Sequence, residues 1–132
     1  MEPTKSISIF FVDDDKFLLD MYALKFSKNN FDVHTAQSGE DALKIIRDGL
    51  NPDVLLLDVV MPNMDGIDLL STLRKENFLK KTVVIMLTNQ GLPDDVMKAK
   101  NLGVDGYIIK ATTIPSDVLA EVNKVYSSVH KE

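Results

Sequence analysis

Residues 53–66 read DVLLLDVVMPNMDG, in which a run of aliphatic side chains ends on Asp58 and a turn containing Pro62 and Gly66 follows. The apolar run predicts a short strand that is buried on both faces. Strands of this kind are typical of parallel sheets that helices cover on both sides. A carboxylate adds nothing to the packing of such a strand, so the position of Asp58 needs a chemical explanation.

Four other short apolar runs predict strands. Together with residues 53–57 they are residues 7–12 (ISIFFV), 31–36 (FDVHTA), 82–87 (TVVIML) and 106–109 (GYII). The segments between them carry apolar residues at helical spacing, such as Leu18, Met21 and Tyr22 in the first helix and Val118, Val122, Val125 and Val129 in the last. Strands and helices that alternate five times predict an α/β fold with a doubly wound, five-stranded parallel sheet.

The composition is typical of a single globular domain, since the 132 residues are 45% hydrophobic and 27% charged. We expect residues 1–6 to form a flexible N-terminal tail and residues 7–130 to form the domain. The formal net charge of −5 provides no broad basic surface, which disfavours nucleic acid as a partner of this chain. No apolar run reaches the roughly 20 residues of a membrane helix, so we expect no membrane association. The sequence has no cysteine, which suits a reducing compartment, and we expect a cytoplasmic location.

Polar residues follow four of the five predicted strands. They are Asp13, Asp14 and Asp15 after the first strand, Asp58 after the third, Thr88 after the fourth and Lys110 after the fifth. Right-handed crossovers bring the carboxyl ends of parallel strands to one edge of the sheet, where ligands bind in open α/β folds. If the first and third strands are neighbours, Asp13, Asp14 and Asp58 converge at this edge. Crowded carboxylates repel one another unless a cation compensates them, and Mg²⁺ prefers oxygen ligands that include phosphate oxygens. The pattern predicts a magnesium site beside a phosphoryl group.

The same residues fit phosphoryl transfer chemistry. Asp58 can attack phosphorus as a nucleophile and form an aspartyl phosphate. Thr88 can donate its hydroxyl to a phosphoryl oxygen, and Lys110 can place an ammonium group against the developing negative charge. Asp15 is interpreted as a helix cap. The third strand is therefore expected to end on a carboxylate because Asp58 reacts.

Four sequence blocks resemble those of the receiver domain of bacterial two-component response regulators. They are FVDDD (11–15), LLLDVVMPNMDG (55–66), VVIMLTNQG (83–91) and GYIIK (106–110), in the same order and at similar spacing. The resemblance covers residues 7–130, nearly the whole chain. It implies a flavodoxin-like (βα)5 fold with strand order 2-1-3-4-5, an order that this family itself exemplifies.

The resemblance also implies a set of magnesium and phosphoryl ligands. Asp58 matches the phosphoacceptor, which receives its phosphoryl group from a histidine kinase or a histidine phosphotransfer protein. Asp13 and Asp14 match the acidic pair that binds Mg²⁺ together with the phosphoacceptor. The backbone carbonyl of Val60 matches a further protein ligand of the ion.

Three more positions match the part of the family that responds to phosphorylation. Thr88 matches the switch hydroxyl, Lys110 matches the phosphate-binding lysine, and Tyr107 matches the aromatic residue that changes its exposure when the threonine moves. By this analogy, phosphorylation remodels the face made by the fourth helix, the fifth strand and the fifth helix, which an unknown downstream protein reads. The chain would catalyse its own phosphoryl transfer without turnover of an external substrate.

Two residues depart from the family pattern. Ala111 follows Lys110 where the family usually has proline and a cis peptide bond, and a non-proline cis bond costs about 2.5–4 kcal/mol. Asn89 follows Thr88 where the family usually has a small residue, so access to Asp58 can be narrower. These departures affect the reach of Lys110, the range of phosphodonors and the lifetime of the phosphoryl group.

Two alternative functions remain open on the sequence. One is a pseudo-receiver, a docking module whose pocket no longer cycles phosphate, with Asn89 and Ala111 as its indications. The other is a small magnesium-dependent phosphatase, which would need a general acid near the nucleophile, and Val60 supplies none. No output domain is recognised after the last predicted helix, which fits either a stand-alone receiver or a fragment of a longer regulator.

Overall fold

The computed structural model describes residues 6–88, 93–109 and 114–130, and within these ranges strands and helices alternate throughout. The strands are β1 (Ile7–Val12), β2 (Phe31–Ala36), β3 (Val54–Asp58), β4 (Val83–Thr88) and β5 (Gly106–Ile109). The helices are α1 (Lys16–Ser27), α2 (Gly39–Arg47), α3 (Gly66–Lys75), α4 (Pro93–Asn101) and α5 (Pro115–Val129). All strand pairs are parallel, in the order β2-β1-β3-β4-β5, which confirms the predicted fold class and strand order.

β3 and β4, two of the three interior strands, end on residues that the sequence predicted to be functional. β3 and β4 are buried along their whole length, as expected for strands with helices on both faces. Each begins and ends one residue later than the sequence predicted, so Asp58 and Thr88 are the last residues of their strands. β2 forms an edge of the sheet, and only Ala36 of this strand is fully buried.

Two apolar clusters cover the two faces of the sheet. On one face α1 and α5 pack through residues such as Phe26 and Val122 against the strands. On the other face α2, α3 and α4 pack through residues such as Ile46, Leu70 and Ala99. The sheet is therefore enclosed between two helical layers, and its carboxyl edge stays open for a site.

The predicted apolar stripe of α1 is displaced from the observed one. The structure buries Leu19, Tyr22 and Phe26, whereas Leu18 and Met21 are only partly buried. The cause is the stacking of Phe11 with Tyr22 and its edge contact with Phe26, since these rings turn the helix toward the aromatic core. On α5, Val118 and Val122 are buried, but Val129 at the helix end is 46% exposed.

Residues typical of helix termini lie at the ends of α2 and α4. Ser38 Oγ accepts a hydrogen bond from the Asp41 amide at 3.1 Å at the start of α2. Gly49 and Gly103 follow α2 and α4 with φ of +125° and +79°, a backbone region that favours glycine. None of the helices in the described ranges is long and apolar enough to cross a membrane. Of the predicted tail, only Ser6 lies within the described residues.

The side chain of Arg74 fastens the end of α4 to α3. Its Nε donates to the carbonyl of Leu102 at 3.0 Å, and Nη2 donates to that of Gly103 at 3.4 Å. Nη1 donates at 2.6 Å to the carbonyl of Leu79, a buried residue with a φ of +63°. A left-handed backbone is costly for a bulky residue, so the guanidinium holds both a strained loop and a helix terminus.

Replacing Arg74 by methionine keeps the aliphatic stem and removes these donors. We expect Arg74→Met to lower the free energy of unfolding by about 1–3 kcal/mol, because part-buried carbonyls lose charged partners. Urea unfolding measures the change, and Lys75→Met, at the exposed neighbouring position, is the matched control. A similar small loss in both variants would show that the guanidinium contacts contribute nothing specific.

Candidate functional site

Asp13 and Asp58 leave neighbouring strands at the same level. Val12 of β1 pairs with Leu57 of β3, so the residues that follow them stand side by side at the carboxyl edge. The Asp13 amide continues the sheet by donating to the carbonyl of Ala36 at 3.2 Å. Asp13 and Asp58 are 1% and 2% exposed. Two acidic residues are thus fixed by backbone pairing in a nearly solvent-free position.

Asp14 completes a cluster with the geometry of a cation site. Each of Asp13, Asp14 and Asp58 offers a carboxylate oxygen that lies within 4.8 Å of the others. Asp14 is exposed, so the cluster opens toward solvent on one side. Opposite ligands of an octahedral Mg²⁺ are about 4.2 Å apart, twice the metal–oxygen distance. A donor set made only of carboxylate oxygens suits Mg²⁺, Ca²⁺ or Mn²⁺, and the residues present fit the predicted ion.

Asp15 has the structural role predicted for it. Its carboxylate accepts a hydrogen bond from the Leu18 amide at 3.2 Å and caps the first turn of α1. Its own amide donates to Asp13 Oδ1 at 2.9 Å, which fixes one oxygen of the buried carboxylate. The third acidic residue of the run therefore supports the cluster without joining it.

The chain that follows Asp58 folds back onto the strand end. The Val59 amide donates to the carbonyl of Leu87 at 3.1 Å, and the Val59 carbonyl accepts from the Gly66 amide at 2.8 Å. A Cβ atom on Gly66 would lie 2.3 Å from the carbonyl oxygen of Asp58, a distance that no side chain tolerates. Asp65 caps α3 through the Asp68 amide at 2.8 Å.

The sequence therefore placed Asp65 and Gly66 in the turn but missed the contact of Gly66 with Asp58. The only available signal was the glycine itself, two residues after Met64 in PNMDG. Val60, whose carbonyl is the predicted further ligand, has a 69% exposed side chain between the buried residues Val59 and Met61.

Thr88 lies on β4, the strand that pairs with that of Asp58, and Tyr107 lies on β5, one strand further from Asp58. Thr88 is 3% exposed and pairs with Ile109 of β5, one residue beyond the level at which Asp58 pairs with Leu87. Tyr107 packs against the cluster under α2, α3 and α4, and its hydroxyl oxygen is buried. The side chain lines a cleft of about 160 Å³ between α4 and β5. The predicted positions of Lys110, Asn89 and Ala111 lie outside the described residues.

The chain resembles known proteins in both sequence and structure. The family model of the response regulator receiver domain matches residues 9–123. The response regulator protein VraR of Staphylococcus saprophyticus is 32% identical over 124 residues, which are 92% of this chain and 57% of that protein. The transcriptional regulatory protein CpxR of Escherichia coli is 40% identical over 102 residues, 77% of this chain and 42% of that protein. The chain thus spans about half the length of these curated relatives.

Solved structures agree in fold over nearly the whole chain. The chemotaxis protein CheY4 of Vibrio cholerae superposes with a TM-score of 0.83 at 27% identity, covering 91% of this chain and 98% of that one. A CheY-like response regulator receiver domain protein from Methanospirillum hungatei gives a TM-score of 0.84 at 26% identity, covering 96% and 98%.

The acidic cluster generates a test that needs no phosphoryl donor. At about 100 times its dissociation constant, a bound ion stabilises the folded state by about 2.7 kcal/mol. We expect Mg²⁺ to raise the unfolding temperature of the unmodified protein and to have much less effect on Asp14→Asn. Asp14 is chosen because it is the exposed member of the cluster, so the substitution removes a ligand without disturbing the core.

Asp20→Asn is the matched control, since Asp20 is an exposed carboxylate on α1 that pairs with Lys16 at the surface. This variant should keep the full response to Mg²⁺ in the same thermal melts. An equal response of the unmodified protein and Asp14→Asn would show that the cluster does not bind the ion.

Proposed function

The chain belongs to the response regulator receiver domain family, and we propose that it acts as a phosphorylation switch with Asp58 as its phosphoacceptor. The donor is a phosphohistidine on a histidine kinase or a histidine phosphotransfer protein, in the cytoplasm. The observation that carries the proposal is the convergence of Asp13, Asp14 and Asp58 at the carboxyl edge of the sheet, within 4.8 Å of one another. Receiver domains are signalling switches, and no turnover of an external substrate is part of the proposal.

In the proposed transfer, a carboxylate oxygen of Asp58 attacks the phosphorus atom of phosphohistidine. The new bond joins oxygen to phosphorus, the phosphorus–nitrogen bond breaks, and its electron pair stays on the imidazole of the donor. The product is an acyl phosphate on Asp58. Bound Mg²⁺ would supply positive charge to the phosphoryl oxygens and to the crowded carboxylates.

The residues around Asp58 bind the ion or contact the phosphoryl group in the proposed transfer. Asp13 and Asp14 hold the ion together with Asp58, and the carbonyl of Val60 is the further ligand. Thr88 donates its hydroxyl to a phosphoryl oxygen, and Lys110 contributes an ammonium group, a role that rests on the family resemblance alone. The burial of Asp58 excludes water from most of its surface, which favours transfer to the carboxylate over loss to solvent.

The response to phosphorylation is proposed to pass from Thr88 to Tyr107 and from there to the surface. The two residues lie on adjacent strands, and Tyr107 lines a cleft beside α4 into which or from which an aromatic ring can move. A shift of Thr88 toward the phosphoryl group would change the room available to the tyrosine. The face formed by α4, β5 and α5 would then present a different surface to a downstream protein.

Exposed apolar side chains near the carboxyl edge support a protein as the phosphodonor. Phe17 follows the acidic run and is 73% exposed, Val60 is 69% exposed, and Ile114 before α5 is 62% exposed. Each follows the carboxyl end of a different strand, β1, β3 or β5. Large apolar side chains grouped on a surface are typical of protein contacts. We expect a donor protein that delivers its phosphohistidine to Asp58 to contact these three side chains.

Covalent labelling with acetyl phosphate tests the phosphoacceptor. We expect a magnesium-dependent mass increase of one phosphoryl group in the unmodified protein and none in Asp58→Asn, because the amide is not a nucleophile for phosphorus. Asp15→Ala should label nearly as well, since Asp15 caps a helix, although the lost cap costs about 1 kcal/mol of stability. Intact-protein mass spectrometry gives the result. Equal loss in the two variants would mean that the acidic residues have been assigned wrongly, and an unmodified protein that never labels would favour the pseudo-receiver.

The exposed apolar residues generate a second test, which compares two donors. We expect Phe17→Ala to slow transfer from a histidine-phosphorylated donor protein about tenfold, as for an interface residue worth about 1.4 kcal/mol. Labelling by acetyl phosphate should be unchanged, because that donor needs no protein contact. Met97→Ala, at a position that is 65% exposed on α4, is the matched control for exposure and lies on the other face of the sheet. Equal slowing with both donors would place the effect of Phe17 in the site itself.

A further inference from the structure

The loop of residues 59–65 touches α2 at a point where only a hydrogen atom fits. Gly39 is the first residue of α2 and is buried. A Cβ atom built on Gly39 would lie 2.8 Å from both the carbonyl oxygen and the Cγ of Met64, and 3.0 Å from the Met64 Cβ. The backbone of one helix therefore packs directly against the loop that follows the phosphoacceptor.

We propose that Gly39 is a positioning residue of the magnesium site, through its contact with Met64. α2 serves as a wall that sets the path of residues 59–65, and the carbonyl of Val60 lies on that path. The inference rests on the proposed function, because it takes Val60 as a ligand of the ion. Gly39 itself touches neither the ion nor the phosphoryl group.

α2 is the better anchored of the two surfaces in contact. Ala42, Leu43 and Ile46 fix it in the core, and Arg47 at its end donates a hydrogen bond from Nε to Glu76 at 2.9 Å. The same contact with Arg47 lowers the pKa of the Glu76 carboxyl, chiefly through the hydrogen bond. A displacement forced at the contact is thus resisted on the side of the helix.

The loop has fewer constraints between its fixed ends. Val60, Pro62 and Asn63 are exposed, and Asn63 has a φ of +66°. One of the two atoms that a new Cβ would meet at 2.8 Å is the backbone oxygen of Met64, which cannot rotate away as the side-chain Cγ can. We therefore expect the loop, not the helix, to move when Gly39 gains a side chain.

The test is Gly39→Ala, a substitution for which helix propensity and the contact with Met64 predict different magnesium affinities. Propensity alone predicts a more stable helix with an unchanged site. The contact predicts a magnesium dissociation constant that rises about tenfold, the range found when a residue supporting a metal ligand is lost. Isothermal titration of the unphosphorylated protein measures the constant, and amide chemical shifts of residues 59–65 in the ion-free protein show whether the loop moves.

Gly106→Ala is the matched control, since it also adds one methyl group at a tight position. Its Cβ would lie 3.0 Å from Val125 Cγ2, a side-chain atom on the opposite face of the sheet from α2. We expect its magnesium dissociation constant to equal that of the unmodified protein. A rise in both variants would reduce the effect of Gly39→Ala to general destabilisation.

Met64→Ala provides a second variant in case Gly39→Ala does not fold. Removing the partly buried side chain loosens the packing of the loop on α2 and leaves the backbone oxygen of Met64 in place, so we expect a smaller rise in the dissociation constant. Wild-type affinity in either folded variant, with shifts confined to α2, would overturn the inference. That outcome differs from failure of the proposed function, in which the unmodified protein neither binds Mg²⁺ nor forms an acyl phosphate.

Discussion

Parallel pairing between β1 and β3 sets Val12 beside Leu57, and the next residue of each strand is therefore an aspartate at the same height. Everything else at this edge depends on that register. A shift by one residue would turn Asp58 toward a helical layer and separate it from Asp13, because side chains alternate between faces. The burial of both strands makes such a shift costly, so the core fixes the position of the Asp58 carboxylate.

The conflict between packing and charge explains why the site lies where it does. Carboxylates that are almost fully buried are unfavourable in a protein interior unless charge or hydrogen bonds compensate them. At the carboxyl edge of a covered parallel sheet, the ends of buried strands come close to the solvent. Asp14 lies on the open side of the cluster, which gives an ion a route to two acidic residues that the fold otherwise encloses.

The sequence predicted the sheet, its strand order and the residues at the strand ends, because these follow from apolar runs and from the resemblance to a known family. It also predicted the capping role of Asp15, which depends only on neighbouring residues. On α1 it predicted the burial of Tyr22 correctly but chose Leu18 over Leu19, since the two are equally apolar and only the packing of the helix against Phe11 decides between them. The closeness of Gly66 to the Asp58 carbonyl could not be predicted, because it depends on how a loop returns through space.

The hydrogen bonds of Arg74 to the end of α4 have a consequence for how this helix can tilt. Arg74 holds the carboxyl terminus of α4 through the carbonyls of Leu102 and Gly103, so a tilt of this helix would move its other end most. α4 has nine residues, from Pro93 to Asn101. At a rise of about 1.5 Å per residue, the helix is about 13 Å long. A rotation of α4 by about 10° about its carboxyl terminus would move its amino terminus by about 2 Å. A small tilt of α4 would therefore displace the helix end that follows β4 along the chain much more than the end held by Arg74.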